Sequence, residues 1–296
     1  MSIASPNNNL LTGEKSRRTV LSGLAALPLA ACTSQMPSKS VSSDSIEIYS
    51  PAPPNNPLHK LNKQLMSLFA DEPLLSDAIV TPVALPESVN RISEMPPQKK
   101  HVSLPIVTTV DFKPARNGTG PDWHRYSKAN SDLKFVSKLY DVGFGIQLFD
   151  QFPRKPNGQD LKGKRIAVPP RPSAVRMMTE ALLKDGWSVL DEVTLVDMFP
   201  PQIAAARAAG EIDGTSWNLV LPQNNSFAPM MSISSQDEQL GFVPIDQTAM
   251  ARVNEANDFQ TSLVDLLPGN SPMISFAQAL AAWDDSDPQI INELLL

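Results

Sequence analysis

The segment from Asp160 to Trp217 constrains the fold most strongly, because strand and helix signals alternate along it without interruption. A turn leads into a buried strand, Ser173 caps a helix, and Gly186 is a candidate left-handed stop for that helix. A second strand, an alanine-rich helix closed by Gly210, and a third strand follow. Strands that alternate with helices in this way predict an α/β fold with mostly parallel sheets.

The same alternation continues on both sides of this segment. Upstream, Asn56 is a predicted N-cap for an amphipathic helix that begins at Pro57. Downstream, Ser271-Pro272 and Asp287-Pro288 each place a capping side chain before proline, which predicts two C-terminal helices. Further predicted elements are strands over 46–50, 78–83, 104–110, 135–149 and 240–244, and helices over 86–95 and from Gln247.

Composition excludes several classes of protein. Hydrophobic residues make up 42% of the 296 residues and charged residues 19%, so the chain has enough apolar surface to fold. A net charge of -6 disfavours nucleic acid as the partner, because phosphate binding needs a basic surface. A single cysteine cannot form an internal disulfide, and three scattered histidines do not make a zinc site. We therefore predict no metal and no cofactor.

The N-terminus has the layout of an export signal. Arg17-Arg18 is a twin-arginine pair, followed by an apolar run over 20–31 that is too short for a membrane-spanning helix. The run ends in Leu29-Ala30-Ala31-Cys32, which resembles a bacterial lipobox, so residues 1–31 would be removed and Cys32 would carry lipid. An idle cysteine after an ordinary cleavage site is the alternative. Residues 32–45 are predicted to form a flexible tether.

The order of motifs resembles type II periplasmic solute-binding proteins. The similarity is carried by the strand entry over 161–168, the helix start over 173–176, and the helix-to-strand turn over 204–213. It is nearest to TAXI-class receptors of TRAP transporters, with tricarboxylate-type and ABC-type receptors close behind. The resemblance implies two lobes joined by crossover strands, with solute between them. Residues 46–145 and 243–296 would form one lobe, and residues 146–242 the other.

The residues at the implied cleft indicate what could bind there. Helix starts at Asn56 and Ser173 would each offer backbone N–H groups to an anion, and Arg171 and Arg176 flank the second start. These groups supply only part of the binding free energy that micromolar affinity requires. Burial of apolar surface must supply the rest, which favours an organic acid as the ligand. The candidate ligand-binding residues are Ser50, Asn55, Asn56, Asp111, Phe144, Arg171, Ser173, Arg176, Trp217 and Asn218.

Three of these candidates have equally simple structural interpretations. Arg176 stands four residues before Glu180, so an ordinary helix-surface ion pair would also account for it. Trp217 could fill a core between sheet and helix, and Asp111 could be a turn residue.

The sequence contains none of the short motifs of common exported enzymes, such as Gly-x-Ser-x-Gly or His-Glu-x-x-His, and no phosphate-binding loop. We therefore expect a non-enzymatic lipoprotein on the periplasmic face of a bacterial membrane, which passes a small organic anion to a membrane permease. A degenerate member of the same fold is the alternative, because Pro51 to Asn56 replaces the family's Gly- and Ser-rich turn. This alternative would act as an envelope sensor or structural lipoprotein. An exported enzyme is the third possibility and rests only on the twin-arginine signal.

Overall fold

The computed structural model describes residues 45–52, 54, 56–149, 156–221, 241–265 and 272–295. The predicted signal segment, Cys32, most of the tether and Asn55 lie outside the described residues. The strands are β1 (Glu47–Ser50), β2 (Ile79–Pro82), β3 (Ser103–Thr108), β4 (Lys134–Leu148), β5 (Arg165–Val168), β6 (Thr194–Asp197), β7 (Gly214–Val220), β8 (Gly241–Phe242), β9 (Ser262–Val264) and β10 (Met273–Ala282). The helices are α1 (Pro57–Ser67), α2 (Glu87–Ser93), α3 (Pro97–His101), α4 (Phe112–Asn117), α5 (Ala174–Ala181), α6 (Pro200–Ala208), α7 (Gln247–Asn257) and α8 (Pro288–Leu295).

The strands form one mixed sheet in the order β2-β1-β3-β10-β4-β7-β5-β6, with β8 paired to β4 and β9 to β10. Strands β1 to β3 are parallel to one another, and so are β5 to β7. The long antiparallel pair β4 and β10 separates these two groups. We call β1 to β3, with the helices and loops that follow them, the first lobe and β5 to β7, with theirs, the second lobe. The predicted α/β fold of two lobes joined by crossover strands is confirmed.

The carboxyl edges of the two parallel groups face each other. Strand β3 is antiparallel to β10 and β7 is antiparallel to β4, so β3 and β7 run in opposite directions. Thr108 and Tyr140 both pair with Gln278, and Val220 pairs with Val142. Measured along β4, the carboxyl ends of β3 and β7 therefore lie only two residues apart, at Tyr140 and Val142. Ligands of α/β proteins bind outside the carboxyl ends of the strands, so this is where a binding groove is expected.

Local capping signals account for the start of α1 and α5. The side chain of Asn56 accepts a hydrogen bond from the N–H of Leu58 at 2.8 Å. The hydroxyl of Ser173 accepts one from the N–H of Arg176. Gly210, which ends the turn after α6, adopts φ of 66°, a left-handed conformation that favours glycine. These three sequence predictions are confirmed.

The largest apolar cluster spans the crossover strands. The even-numbered residues of β4 from Val142 to Leu148 are almost completely buried in it. Leu58, in the first turn of α1, and Val175, in the first turn of α5, belong to the same cluster. Burying side chains of this size stabilises the fold by about 1.5–3 kcal/mol each. The first turns of the two helices are thus held by one shared core.

The predicted helix after Ser271-Pro272 is wrong, because strand β10 begins at Met273. Nearly every residue of β10 is buried, on both faces of the sheet between β3 and β4. A Ser-Pro pair signals a helix start only from its immediate neighbours. Here the non-local pairing with two flanking strands determines the conformation.

The predicted left-handed stop at Gly186 is also wrong. After α5 the chain continues as a π-helical turn over Leu182–Gly186, and Gly186 is not among the glycines with positive φ. A Cβ atom on Gly186 would lie 2.8 Å from Leu182 Cδ1 and 3.3 Å from a methyl group of Val253. Glycine at this position thus relieves crowding by Leu182 and α7, and its backbone angles do not call for glycine.

Among the helices of the described ranges, none has both the length and the apolar character that crossing a bilayer requires.

Candidate functional site

A cavity of about 590 Å³ lies between the loop that follows α4 in the first lobe and helix α5 of the second lobe. The end of α7 closes it at one side. This volume is within the range typical of small-molecule sites. Its apolar lining includes Trp123, Met177, Ala181, Leu190 and Phe259. Its polar lining includes Glu180, Lys184, Asp185, Asn257 and Asp258.

A second hollow, of about 310 Å³, lies beside the crossover strands. It is lined mainly by hydroxyl and amide groups, including those of Thr109, Gln260 and Ser275. This hollow is smaller, and it has one aromatic wall residue, Phe276, where the larger cavity has two. The larger cavity therefore has the better shape and surface for enclosing an organic solute.

Two arginines converge on one carboxylate at the edge of the larger cavity. Arg171 donates from Nε and Nη2 to Glu180 Oε1, at 3.1 and 2.7 Å. Arg176 donates from Nε to the same oxygen and from Nη1 to Asp197. The ion pair between Arg176 and Glu180 is therefore present, and Arg176 is only 9% exposed. Two cations and two anions cancel in formal charge, so neither arginine is an open anion receptor in this conformation.

Arg171 is more exposed than Arg176 and stacks on an aromatic ring. Its side chain is 47% exposed, and its Nη1 has no hydrogen-bond partner among the described residues. Its guanidinium also stacks on Trp123, with Cζ 4.9 Å from the ring centroid. Arg171 thus presents a fixed, partly free donor at the edge of the cavity.

The loop that carries Trp123 is anchored by a buried acid–histidine pair. Asp111 and His124 are both completely buried, with His124 Nε2 2.7 Å from Asp111 Oδ1. Thr108 donates from Oγ1 to the other carboxylate oxygen at 2.7 Å. Asp111, a predicted ligand residue, therefore lies within the protein and holds the neighbouring loop. Sequence reasoning did not identify Trp123, because its contact with Arg171 joins residues 48 positions apart.

Ser50, another predicted ligand residue, belongs to a buried polar network behind the groove. Asn62 donates from Nδ2 to Ser50 Oγ at 3.0 Å and to Gln278 Oε1 at 3.2 Å. The hydroxyl of Tyr140 lies 2.8 Å from Gln278 Oε1 and 2.9 Å from Asn62 Oδ1. Burial raises the pKa of this hydroxyl, so it remains a hydrogen-bond donor throughout the neutral range. The network connects α1 to both crossover strands.

The predicted residues on β4 and β7 lie on different faces of the sheet. Phe144 is completely enclosed in the apolar cluster, and Asn218 is paired opposite it. Trp217 is paired opposite Gly145, so its side chain is on the other face. Its indole Nε1 is buried and has no hydrogen-bond partner in the described part of the chain.

The structure brings Arg171, Ser173 and Arg176 together at the start of α5, with Glu180 one to two turns further along the helix. Asn56 caps the facing helix α1. Within the described ranges, no group of three or more histidine, cysteine or acidic residues is arranged to hold a metal ion. The chemistry that this arrangement offers is recognition by charged hydrogen bonds and apolar contact.

Comparison with known families gives one partial match. Residues 156–255 match the model of the family described as NMT1/THI5 like, which is 100 of the 296 residues. This segment contains β5 to β7, α5, α6 and most of α7. No curated protein sequence matches the chain.

Solved structures of similar fold include two from the same bacterium. A protein of R. palustris with adipate superposes with a TM-score of 0.53 at 12% identity, covering 86% of this chain and 81% of that one. MatC of Rhodopseudomonas palustris with bound malate gives 0.50 at 13% identity, covering 84% and 81%. A structure described as a periplasmic transporter gives 0.51 at 14% identity, covering 86% and 81%. At these identities the similarity establishes a shared fold.

Proposed function

We propose that this protein is an extracytoplasmic solute-binding protein that captures a small organic acid between its lobes for a membrane transporter. The observation that carries the proposal is the cavity of about 590 Å³ between the first lobe and α5, with Arg171 at its edge. A carboxylate would replace part of the contact between Arg171 and Glu180. It would also accept from the free Nη1 donor and from backbone N–H groups at the start of α5.

The fold relatives support an acid as the ligand. One is described with adipate and another with malate, and both share the two-lobed α/β architecture. On this proposal Arg171, Ser173 and Arg176 contact the ligand directly, and Asn56 faces it from α1. Trp217 and Asn218 lie in the middle of β7, whose carboxyl end reaches the groove. Ser50, Asp111 and Phe144 support the groove from within the core.

We further propose that the protein is exported and tethered. The twin-arginine pair Arg17-Arg18 and the lipobox-like sequence ending at Cys32 support a lipid anchor on the periplasmic face of a membrane. The transporter would be a TAXI-class TRAP system or a tricarboxylate or ABC system. On this proposal, residues 46–145 and 243–296 form one lobe, and residues 146–242 form the other. Helix α7, in the first of these, contacts the second lobe through Arg252.

Two observations favour the alternative, a degenerate sensor or structural lipoprotein. Both arginines are already neutralised by Glu180 and Asp197. In addition, Leu58 and Val175, from opposite sides of the groove, share one apolar cluster. A protein that no longer opens to admit solute would have these properties.

Isothermal titration calorimetry with adipate and malate tests the proposal. We expect micromolar binding to the wild-type protein, and a loss of about ten- to a hundredfold for Arg171→Gln, the range expected for one charged hydrogen-bonding group. Arg91→Gln is the matched control, because Arg91 forms an exposed ion pair with Glu87 outside the groove. If the two variants bound the acids with equal affinity, Arg171 would not be part of the binding site. If the protein bound none of a broad panel of carboxylates and sulfonates, the degenerate sensor or structural lipoprotein would be favoured.

A further inference from the structure

The two ends of the cavity carry different charged groups. Arg171 lies at the end nearest the start of α5, where it contacts Glu180 and Trp123. The far end is formed by the π-helical turn after α5 and by the end of α7, where Asp185 and Asn257 line the wall. A molecule that fills the cavity lengthwise therefore meets the ion pair of Arg171 and Glu180 at one end, and Asp185 beside Lys184 at the other.

Asp185 is the only one of the three lining carboxylates without an ion-pair partner in the described part of the chain. Glu180 is paired with Arg171, and Asp258 is paired with Lys113. Asp185 Oδ2 accepts from Asn257 Nδ2 at 2.9 Å, a neutral donor. Its second carboxylate oxygen has no partner among the described residues.

The nearby cation Arg252 is directed elsewhere. Its guanidinium donates to the backbone carbonyl oxygens of Asp185 and Gly186, not to the Asp185 carboxylate. A half-buried carboxylate with an open acceptor oxygen attracts a cationic donor such as an ammonium group. Asp185 thus provides a binding site for an amine at this end of the cavity.

The distance between the two ends sets the length of the ligand. Asp185 follows Glu180 by five residues, from α5 into the π-helical turn, which corresponds to at most about 7 Å along the axis. The wall next to Glu180 is apolar, because Met177 and Ala181 are buried there and Phe259 lines the same cavity. A polar group in the middle of the ligand would lose its hydration there without compensation.

From these observations we infer that the ligand is an ω-amino acid, with a carboxylate at Arg171 and an ammonium group at Asp185 joined by an extended apolar spacer. This inference rests on the proposed function of the same cavity, and it goes further by assigning opposite charges to the two ends of the solute. An α-amino acid with an uncharged side chain cannot satisfy both ends, because its two charged groups are attached to one carbon.

Lys184 provides the competing possibility. It lines the same cavity, its side chain is exposed, and it forms no ion pair within the described ranges. If Lys184 bound the distal group of the ligand, that group would be a second carboxylate, and the ligand would be a dicarboxylate. The two outcomes can be separated with compounds of equal length.

The test compares 6-aminohexanoate, adipate and hexanoate by isothermal titration calorimetry with the full mature chain. These acids share a six-carbon chain and differ only in the distal group. We expect 6-aminohexanoate to bind at least about tenfold more tightly than the other two, since one charged hydrogen bond is gained. Asp185→Asn should abolish this preference, whereas Asp191→Asn, at an exposed acid outside the cavity lining, should preserve it.

Each other outcome overturns the inference in a distinct way. Tighter binding of adipate that is lost in Lys184→Gln would leave the proposed function standing and reject the ω-amino acid. Equal binding of 6-aminohexanoate and hexanoate would show that Asp185 does not contact the ligand. If none of the three acids bound, the ω-amino acid inference would be overturned, and the broad panel of carboxylates and sulfonates would then decide the proposed function separately. Should Asp185→Asn fail to fold, Lys184→Gln still tests the idea, because it should retain or strengthen binding of 6-aminohexanoate.

Discussion

At the scale of single residues, Glu180 determines the charge at the start of α5. One of its oxygens accepts three N–H groups from two arginines. This carboxylate occupies the position that an incoming anion would need. Glu180 therefore acts as a built-in competitor for Arg171, and its removal should leave one uncompensated positive charge in the cluster.

We predict that Glu180→Gln lowers the free energy of unfolding by about 1–3 kcal/mol, because charged hydrogen bonds are lost. The freed arginines should also bind sulfate. Thermal unfolding in sodium sulfate and in sodium chloride of equal ionic strength measures both effects. Glu87→Gln, at an exposed ion pair with Arg91, is the control for the general stabilising effect of sulfate. Equal sulfate effects in the two variants would contradict the prediction.

His59 in α1 provides a pH-dependent contribution to stability. Its side chain is buried, and burial, together with the charge of Lys63, lowers its pKa below 6.5. The unfolded chain therefore binds a proton more readily than the folded protein does. Stability should fall as the pH drops from about 7 to about 5, because the unfolded state gains the proton first.

Urea unfolding at several pH values tests this prediction. His59→Gln should show a flatter decline in the free energy of unfolding between about pH 7 and 5 than the wild-type protein does. His101→Gln removes a half-exposed imidazole and is the matched control. If the wild-type slope persists in His59→Gln, another group is responsible for the pH dependence.

At the scale of secondary-structure elements, the sequence predicts what is determined locally. Asn56 and Ser173 cap their helices, and Gly210 adopts the left-handed conformation, because each signal depends on only a few neighbouring residues. The alternation of strands and helices over 160–217 was sufficient to predict the second lobe. These features required no knowledge of distant parts of the chain.

The features that sequence reasoning missed are non-local. Strand β10 follows a Ser-Pro pair that signals a helix, yet pairing with β3 and β4 makes it a crossover strand. Gly186 is crowded by Leu182 in its own turn and by Val253 in a helix more than 60 residues away. The candidate site depends on the stack between Trp123 and Arg171, which no local pattern indicates. Of the site, the arginines at the start of α5 were predictable and the surrounding cavity was not.

The junction between β4 and β7 leads to a further prediction. A Cβ atom on Gly214 would lie 2.4 Å from the backbone oxygen of Gln147, and that backbone cannot move without disturbing the register of β4 with β7. Gly214→Ala should therefore cost more than about 3 kcal/mol or prevent folding. Gly163→Asn is the control, because Gly163 has φ of 70° and open space around it. It should change stability by less than about 1 kcal/mol. Urea unfolding measures both variants. A similar loss in the free energy of unfolding for the two would refute the prediction.

At the scale of the whole molecule, two features hold the lobes in contact. The apolar cluster includes Leu58 from the first lobe and Val175 from the second. The stack of Arg171 on Trp123 connects the same lobes at the edge of the cavity. Because the buried pair of Asp111 and His124 anchors the loop of Trp123, the stack joins two rigid parts of the protein.

If this stack helps to keep the lobes together, removing it should let them separate. We predict that Trp123→Leu and Arg171→Gln each increase the radius of gyration measured by small-angle X-ray scattering without ligand. A double-mutant cycle of unfolding should give a coupling energy of about 0.5–2 kcal/mol between the two side chains. Arg207→Gln is the control, because Arg207 stacks on Phe149 near the end of β4, away from the cavity edge. If neither Trp123→Leu nor Arg171→Gln changed the radius of gyration, the shared apolar cluster alone would hold the lobes, which would favour the degenerate protein over a receptor that opens.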